Sequence, residues 1–473
     1  MIGSTTRQAS LFYFAFAKEV SLIHDFTLDE LDLLLKDPKL VALSAEALGR
    51  RRARSKDFGR PGIAPDRLLR CVVLKHLKKW SFRQLEWELR HSLLYRRFTC
   101  FFEDPIPDYT SFSRTFALFG PGGTRKIHER IVKQAQEKTL IRGQQLRVDT
   151  TAVETNIHYP TDSSLLADSL RVMTRSLQRI AAQCVGTSVQ VVNHARAAKY
   201  RVLEICRAAK TFTEAGKAQL QTSYQKLLSL TRQVKQQAVQ VLEDLRQHRL
   251  SVSGDLFTVL REEACLEHYV LLVERVIGQT QARIFAGETH YEVKILSLFE
   301  QHSAIIRKGK PDKPTEFGRL VRLDEVENGI VSGYVIAPGN ESDQKQWIPA
   351  LEHHRERFGH LPRMAAADRG FWNTQNEKQA QELGVKQVVL PARGRLSDKR
   401  MAHQKQWWFR RGQGWRAGIE ARISTLKHLF GMKRARYKGE AGFERYVGWC
   451  VITQNLVAMV RASVKMAAPG RSR

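Results

Sequence analysis

The sequence predicts an α/β protein: a mixed-sheet core, preceded by a helical domain and interrupted by a long helical insertion. Three observations carry this. Stretches rich in Val, Ile, Thr and small apolar residues read as strands at 146–154, 317–325, 329–337, 364–370 and 385–390. Between the first of these and the rest, residues 164–301 repeat Leu and Val at helical spacing almost without a break. Ahead of the first strand, short apolar patterns of helical period end at turn residues.

Taken in order, LDLLLKD and ALSAEALGRR suggest short helices, and a basic segment runs on from Arg50. Gly59-Arg60-Pro61-Gly62 marks a turn. Pro65-Asp66 then opens a helix with Leu68, Leu69, Val72, Val73 and Leu77 on one face. Ser81 has the chemistry of an N-cap for a second helix, with Leu85 and Leu89 inward and Arg83, Arg90, Arg96 and Arg97 outside. A third begins near Thr110 and stops before a turn at Pro121-Gly122-Gly123. Such short, tightly connected helices fit either a helix-turn-helix DNA-contacting module or a plain bundle. The stretch LRVDTTAVE is the first strand, bearing Asp149; Thr161 or Ser163 caps the first helix of the insertion. The Leu and Val repeat of that insertion reads as packing between its helices, with a coiled-coil contact between copies as the other reading. Asn328-Gly329 joins the next two strands as a hairpin. A helix follows over WIPALEHHRERF, then MAAADRG, a short buried strand that delivers Asp368 at its end. A helix over 376–383, a strand over 385–390 and a polar linker over 392–414 lead to the helix WRAGIEARISTLKHLFG. A last helix, FERYVGWCVITQNLVAMV, closes the pattern.

The chain has 473 residues, with 77 Lys and Arg against 48 Asp and Glu, a formal charge of +29. That excess calls for a polyanionic partner, nucleic acid or an acidic membrane surface. It is spread along the chain, so several folded surfaces are expected to meet that partner. Six cysteines without CxxC spacing exclude a disulfide scaffold and a structural zinc site, and fit a reducing compartment. The run Val447–Val460 is broken by Thr453, Gln454 and Asn455 and reads as too short and polar for a bilayer span. Phe12–Phe16 is too short for a signal-peptide core.

Within the C-terminal helix, Ile419, Ile423, Leu426 and Phe430 form an apolar face. Arg416, Glu420 and Lys427 share another, at offsets of four and eleven residues from Arg416, and Lys433, Arg434, Arg436 and Lys438 follow Gly431. By itself such a segment also fits a solvated amphipathic surface. The order of elements adds weight. With the insertion removed, Asp149 lies on the first strand, Asp368 ends the fourth and Glu420 lies on the helix after the fifth, so three carboxylates can converge at one sheet edge. Oxygen ligands of this kind suit Mg²⁺ or Mn²⁺ on phosphate oxygens, and two ions about 3.5–4 Å apart would serve both the attacking and the leaving oxygen. Glu154 is the alternative first ligand. Asp343, Asn156 and His158 are weaker candidates for supporting or DNA-contacting roles. Of Trp372, Trp407, Trp408 and Trp415, one has the chemistry to stack on an unpaired base, although core packing is the commoner use of tryptophan.

The stretches LRVDTTAVETNIHYPTDSSLLADS, TEFGRLVRLDEVENGIVSGYVIAPGNESD, AAADRGFWNTQNEKQAQELGVKQVVLPARG and GIEARISTLKHLFGMKRARYKG together resemble the DDE transposases of bacterial insertion sequences. The N-terminal GRPGIAPDRLLRCVVLKHLKKWSFRQLEWELRHSLLYRRF is similar to the helical domain that precedes their catalytic core. The resemblance covers most of 59–460. It implies an RNase H-like mixed-sheet catalytic core, with an N-terminal helical domain and a large helical insertion after the first core strand. The implied division is a helical, basic segment at 1–58, a DNA-binding domain at 59–140, the core at 141–163 and 311–440, the insertion at 164–310, and a C-terminal helix and basic tail at 441–473. It implies Asp149, Asp368 and Glu420 as metal-binding catalytic triad. Arg416 and Lys427 match a Tyr-x-x-Arg-x-x-x-Glu-x6-Lys pattern in which the tyrosine position is Gln413 here. With Lys433, Arg434, Arg83 and Arg90 they are the candidate DNA contacts. Relatives with inserted domains often carry them between the second aspartate and the glutamate, whereas here the insertion follows the first aspartate. The resemblance further implies a transposase that binds terminal inverted repeats, cleaves element ends and joins the freed 3′-hydroxyl to target DNA. The partners are then end and target duplexes, a second copy of the chain and no membrane, in the bacterial cytoplasm. A nuclease without strand transfer and a catalytically silent DNA-binding regulator of the same fold are the alternatives. A helical protein-binding adaptor is disfavoured by the charge.

Overall fold

The computed structural model describes Gly3 and residues 23–50, 62–184, 190–291, 294–307 and 315–467. The Phe12–Phe16 run, the basic segment after Arg50, most of the expected Gly59–Gly62 turn, residues 309–314 and the terminal basic tail lie outside the described residues. In chain order the elements begin with α1 (Phe26–Leu35), α2 (Pro38–Gly49), α3 (Pro65–Leu77), α4 (Phe82–His91), α5 (Leu93–Phe98), α6 (Tyr109–Ala117), α7 (Gly120–Glu137) and β1 (Gln145–Glu154). Then come α8 (Asp162–Ala181), α9 (Ala195–Ala208), α10 (Glu214–Arg246) and α11 (Leu256–Phe285), followed by β2 (Ala304–Ile306), β3 (Glu316–Glu325) and β4 (Val331–Ile336). The chain closes with α12 (Trp347–Phe358), β5 (Met364–Ala367), α13 (Thr374–Leu383), β6 (Gln387–Val389), α14 (Asp398–Lys405), α15 (Trp407–His428) and α16 (Glu440–Ala467). They form two compact units, 1–156 with 304–473, and 157–303.

In the first unit, side chains cap the early helices: Asp25, Asp37, Ser81, Ser92 and Asp108 each accept from a backbone N–H of the first turn. Each such cap contributes about 1 kcal/mol. Ser81 and Gln84 form a reciprocal capping box. Two local expectations fail here. Pro121-Gly122-Gly123 is the first turn of α7 and not a break, because a proline at that position gives up an N–H with no helical partner anyway. Arg96 and Arg97 are half-buried, unlike exposed Arg83 and Arg90. Arg96 donates to the carbonyls of Leu89 at 3.0 Å, Phe102, and Asp104 at 3.3 Å, closing the loop after α5, while Arg97 donates to the Ile23 carbonyl at 2.7 Å.

The sheet runs in the order β2–β3–β1–β5–β6, with β4 also paired to β3. β3 is antiparallel to β1, β2 and β4, whereas β1, β5 and β6 are parallel. Asn328 and Gly329 both take positive φ, 54° and 72°, which is what the tight β3–β4 turn demands. Strand alternation sorts the core. Leu146, Val148, Ala365 and Ala367 face a cluster that includes Val72, Ile131 and Leu351 from α3, α7 and α12. Val153, Val321 and Leu323 face Leu426, Phe443 and Val447. Met364, Ala366 and Val389 pack on Phe409.

That last contact corrects the expected linker at 392–414. The segment is largely helical, and α15 starts at Trp407 instead of near Trp415. Burying Phe409 contributes about 1.5–3 kcal/mol, enough to offset Gly412 and Gly414 at about 1 kcal/mol each. Gly412 is required by close approach: a Cβ there would meet Val389 Cγ2 at 2.6 Å. The tryptophans divide: Trp408 and Trp415 are half-buried beside Phe409, Trp372 is also half-buried, and Trp407 is 71% exposed.

α16 has 28 residues and, by length and composition, is long and apolar enough to cross a membrane, contrary to the estimate from Val447–Val460 alone. Yet 83% of its apolar window is buried inside the fold. The three polar residues that interrupt the run are bonded there. The Asn455 side chain accepts from Val331 N–H at 2.9 Å and donates to its carbonyl at 2.8 Å. Gln454 donates to Gly329 O at 3.0 Å, and Thr453 to Trp449 O at 2.8 Å. The Asn455 and Gln454 bonds tie the helix to the β3–β4 turn, while the Thr453 bond stays within the helix.

The second unit packs α8–α11 around its own core, which includes Leu166, Met173, Leu227, Val234, Leu266 and Val276. Thr161 caps α8 through a capping box with Ser164. Two buried carboxylates are paired: Asp162 with Arg283 at 3.0 Å, and Glu262 with Arg179 at 2.9 Å. The helical pattern ends at Phe285, and the described residues of 286–303 contain no helix, short of the expected 301.

Candidate active site

The parallel pairing of β1 with β5 matches Arg147 with Ala366 and Val148 with Ala367. One step further along the same register, Asp149 stands beside Asp368. Residues in register project to the same face, so continuing the register by one step directs both aspartates to one face of the sheet. Asp149 also lies opposite Leu323 of β3. By alternation it shares a face with Arg147 and Val153, the face covered by α15. Both aspartates are half-buried.

Asp368 ends the strand and caps the turn that follows, accepting from Gly370 N–H at 2.7 Å. Asp343 reaches the same turn. A Cβ on Gly370 would meet Asp343 Oδ2 and Asp368 Oδ1 at 2.8 Å each, so the two carboxylates are neighbours across that glycine. Asp343 Oδ1 accepts from the Thr150 hydroxyl at 2.6 Å, and Thr150 adjoins Asp149.

The third carboxylate stands on α15. One flank of that helix is fastened to the amino end of β1 and the carboxyl end of β3. Arg147 donates to Trp415 O and, through Nε and Nη2, to Glu325 at 3.0 and 2.6 Å; Arg422 also reaches Glu325, at 3.3 Å. Glu325 is fully buried beneath them. The opposite flank carries Arg416, Glu420, Ile423 and Lys427, with Ile423 packed on the cluster of Val153 and Leu323. Glu420 is 66% exposed and accepts from Arg416 at 3.1 Å. Nothing local marked the Arg147–Glu325–Arg422 network, because its members are 178 and 97 residues apart.

Among the remaining candidates, Glu154 is engaged by Arg434 through Nε at 3.0 Å and Nη2 at 2.8 Å, and its N–H bonds Lys433 O at 3.0 Å. Lys433 and Arg434 are exposed just beyond α15. Arg83 and Arg90 are exposed on α4. Arg83 lies 4.7 Å from the Tyr109 ring centroid, and Arg90 pairs with Glu86 at 2.6 Å. Asn156 is exposed at the end of the first unit, and His158, in the second, lies 3.7 Å from Asp168. Behind the aspartates, burial pushes the Asp324 carboxyl up, but Arg322 and His353 outweigh it and hold the group below the ordinary carboxylate range.

The donor chemistry fits a hard divalent ion, since all three candidates offer carboxylate oxygens. They do not form a closed three-ligand group among the described residues, Glu420 being turned to solvent and to Arg416. Two family models match the chain. One, described as a transposase domain (DUF772), matches residues 24–118, from just before α1 to the end of α6. The other, a transposase DDE domain, matches residues 325–456, from the end of β3 into α16. The chain is a DDE transposase. Its mixed sheet is an RNase H-like core. The transposase acts on DNA, and enzymes of this family use divalent metal ions. The DDE match contains Asp368 and Glu420; Asp149 and the helical insertion lie outside both matches. No curated protein and no solved structure matches the transposase.

Proposed function

We propose that the transposase binds the terminal inverted repeats of its own element, cuts DNA at the element ends and transfers the freed 3′-hydroxyl strand to target DNA. Asp149, Asp368 and Glu420 are the catalytic carboxylates in this reading and would hold Mg²⁺ or Mn²⁺, as a pair of ions. The ions supply Lewis-acid activation of a water or 3′-hydroxyl and charge stabilisation of the leaving oxygen. Arg416 and Lys427, on the same helical flank as Glu420, hold the scissile phosphate by charge-assisted hydrogen bonds. Lys433 and Arg434 extend that cationic surface. Arg83 and Arg90 on α4 contact end DNA, with residues 59–140 as the end-binding domain and the insertion at 164–310 as a further contact surface. Phosphate contacts of this kind set position on the duplex and leave base reading to other groups. Because two ends are joined, the working form is a homodimer, acting in the bacterial cytoplasm.

The observation that supports this reading is the β1–β5 register, which runs to Val148 and Ala367 and so leaves Asp149, midway along β1, and Asp368, just past the end of β5, one step beyond it. The test is cleavage and joining of a duplex bearing the element ends, with Mg²⁺ or Mn²⁺, by the wild type and by Asp368→Ala. The variant is expected to retain end binding and lose cleavage by at least about 10²–10³-fold. Wild-type cleavage by Asp368→Ala sinks the assignment. Cut ends without any joined product leave a nuclease.

A further inference from the structure

The β1–β5 aspartate pair has a brace behind it. Asp149 and, by strand alternation, Asp368 project to the face covered by α15, whereas Thr150 projects to the other face with Arg322, its partner on β3. Asp343 accepts from the hydroxyl of Thr150 at 2.6 Å, so it reaches the middle of β1 from the face opposite the pair. Its other oxygen lies against Gly370, whose N–H orients Asp368. The rest of its turn is tied to the same loop. Gln344 donates to Trp372 O at 3.1 Å, and Asn376 donates to Gln344 O at 2.8 Å and to Phe371 O at 2.9 Å. Residues 343–344 therefore join the middle of β1 to the loop that begins at Asp368, just past the last residues paired between β1 and β5.

We propose that Asp343 is a positioning residue: bonded to Thr150 and packed on Gly370, it sets the separation of Asp149 and Asp368 and so the affinity of the site for divalent metal. This rests on the catalytic reading of those two aspartates. The physical reason is that the β1–β5 register ends at Val148 and Ala367, one residue short of the two aspartates, and carboxylates of like charge placed close together repel. Asp343 couples them while adding a third negative charge that favours a cation between the strands.

Mn²⁺ binding to the full-length protein, by isothermal titration, reads this directly, alongside the metal dependence of end cleavage. For Asp343→Asn, Mn²⁺ affinity is expected to fall about 10–100-fold, the usual range for outer-shell partners of a metal site. The metal midpoint for cleavage should rise in step, high Mn²⁺ should restore most of the rate, and end binding should be unchanged. Thr150→Val should shift the same two curves less, and Thr150→Ser should not. Superimposable curves for Asp343→Asn and wild type overturn the proposal. If Asp343→Asn proves unstable, Thr150→Val decides, and a wild-type curve there overturns it equally. Loss of cleavage that saturating metal does not restore overturns it too, since Asp343 would then be a direct participant. Asp368→Ala separates the two levels. If it still cleaves and binds Mn²⁺ as wild type, the active-site assignment falls; if it is inert while Asp343→Asn is normal, only the positioning role falls.

Discussion

Asp149 and Asp368 each follow the last paired residue of two parallel strands, both half-buried, with a capped turn after Asp368. Glu420 stands on a helix flank, two-thirds exposed and held by a single ion pair to Arg416. The ladder up to Val148 and Ala367 fixes the backbone from which the two aspartates leave. The helix places its carboxylate by packing of the opposite flank, through Arg147, Glu325 and Arg422, and leaves the side chain exposed beside Arg416. The two aspartates are thus placed by their strands, whereas Glu420 is placed by its helix and faces solvent.

The sharpest way to break this contrast is to cut the anchor of the helix. Glu325→Gln leaves Arg147 and Arg422 without their buried counter-charge, and should cost about 3–5 kcal/mol of stability, read as a lower urea midpoint at unchanged slope. A loss under about 1 kcal/mol would mean that α15 is held by its apolar face alone. Next in size, Glu420→Ala should lower end cleavage by about 10²–10³-fold while shifting stability by no more than about 0.5 kcal/mol, as expected of an exposed site. Wild-type cleavage would leave the aspartate pair as the whole protein contribution to the metal.

The smallest effect concerns what lies behind the strands. Burial lowers the imidazoles of His128 to about 3 and His354 to about 4, and holds His76 well below the ordinary value. His128 meets Val331 O at 2.9 Å, and His354 meets Gly143 O at 3.0 Å just ahead of β1. Unfolded, each titrates near 6.5, so between that pH and the folded values the unfolded chain binds more protons. The contribution is therefore complete above about pH 6.5 and lost as pH falls, about 1 kcal/mol per histidine by pH 5.5. Denaturant midpoints measured from pH 7.5 to 5.5 should drop accordingly, and His128→Asn should flatten the slope. A flat profile in the wild type would show that these groups are not held neutral.

Much of the core could be read from local chemistry. The Asn328-Gly329 turn, the Ser81 cap and the small-residue strand that ends at Asp368 each depend on residues within a few positions of one another. The candidate triad came instead from the order of distant elements and from the family resemblance. The failures share a cause of the opposite kind. α15 begins at Trp407 because Phe409 finds a pocket among Met364, Ala366 and Val389, none of which is near it in sequence. Arg96 looked solvent-facing until the loop carbonyls it binds were in place. Asp343 stood out little from its neighbours, because its partner Thr150 is 193 residues away.

Taken alone, the sequence determined the periods, the turns and caps, the basic charge and the carboxylates available for chemistry, since each is set by a residue and its nearest neighbours. Only the tertiary structure decided which strand lies beside which, that the β1–β5 register ends just before Asp149 and Asp368, that Asp343 reaches both Thr150 and the turn after Asp368, and that Glu420 faces solvent. Those outcomes depend on burial and on hydrogen bonds between segments far apart in the chain, whose energies exist only once the segments have met.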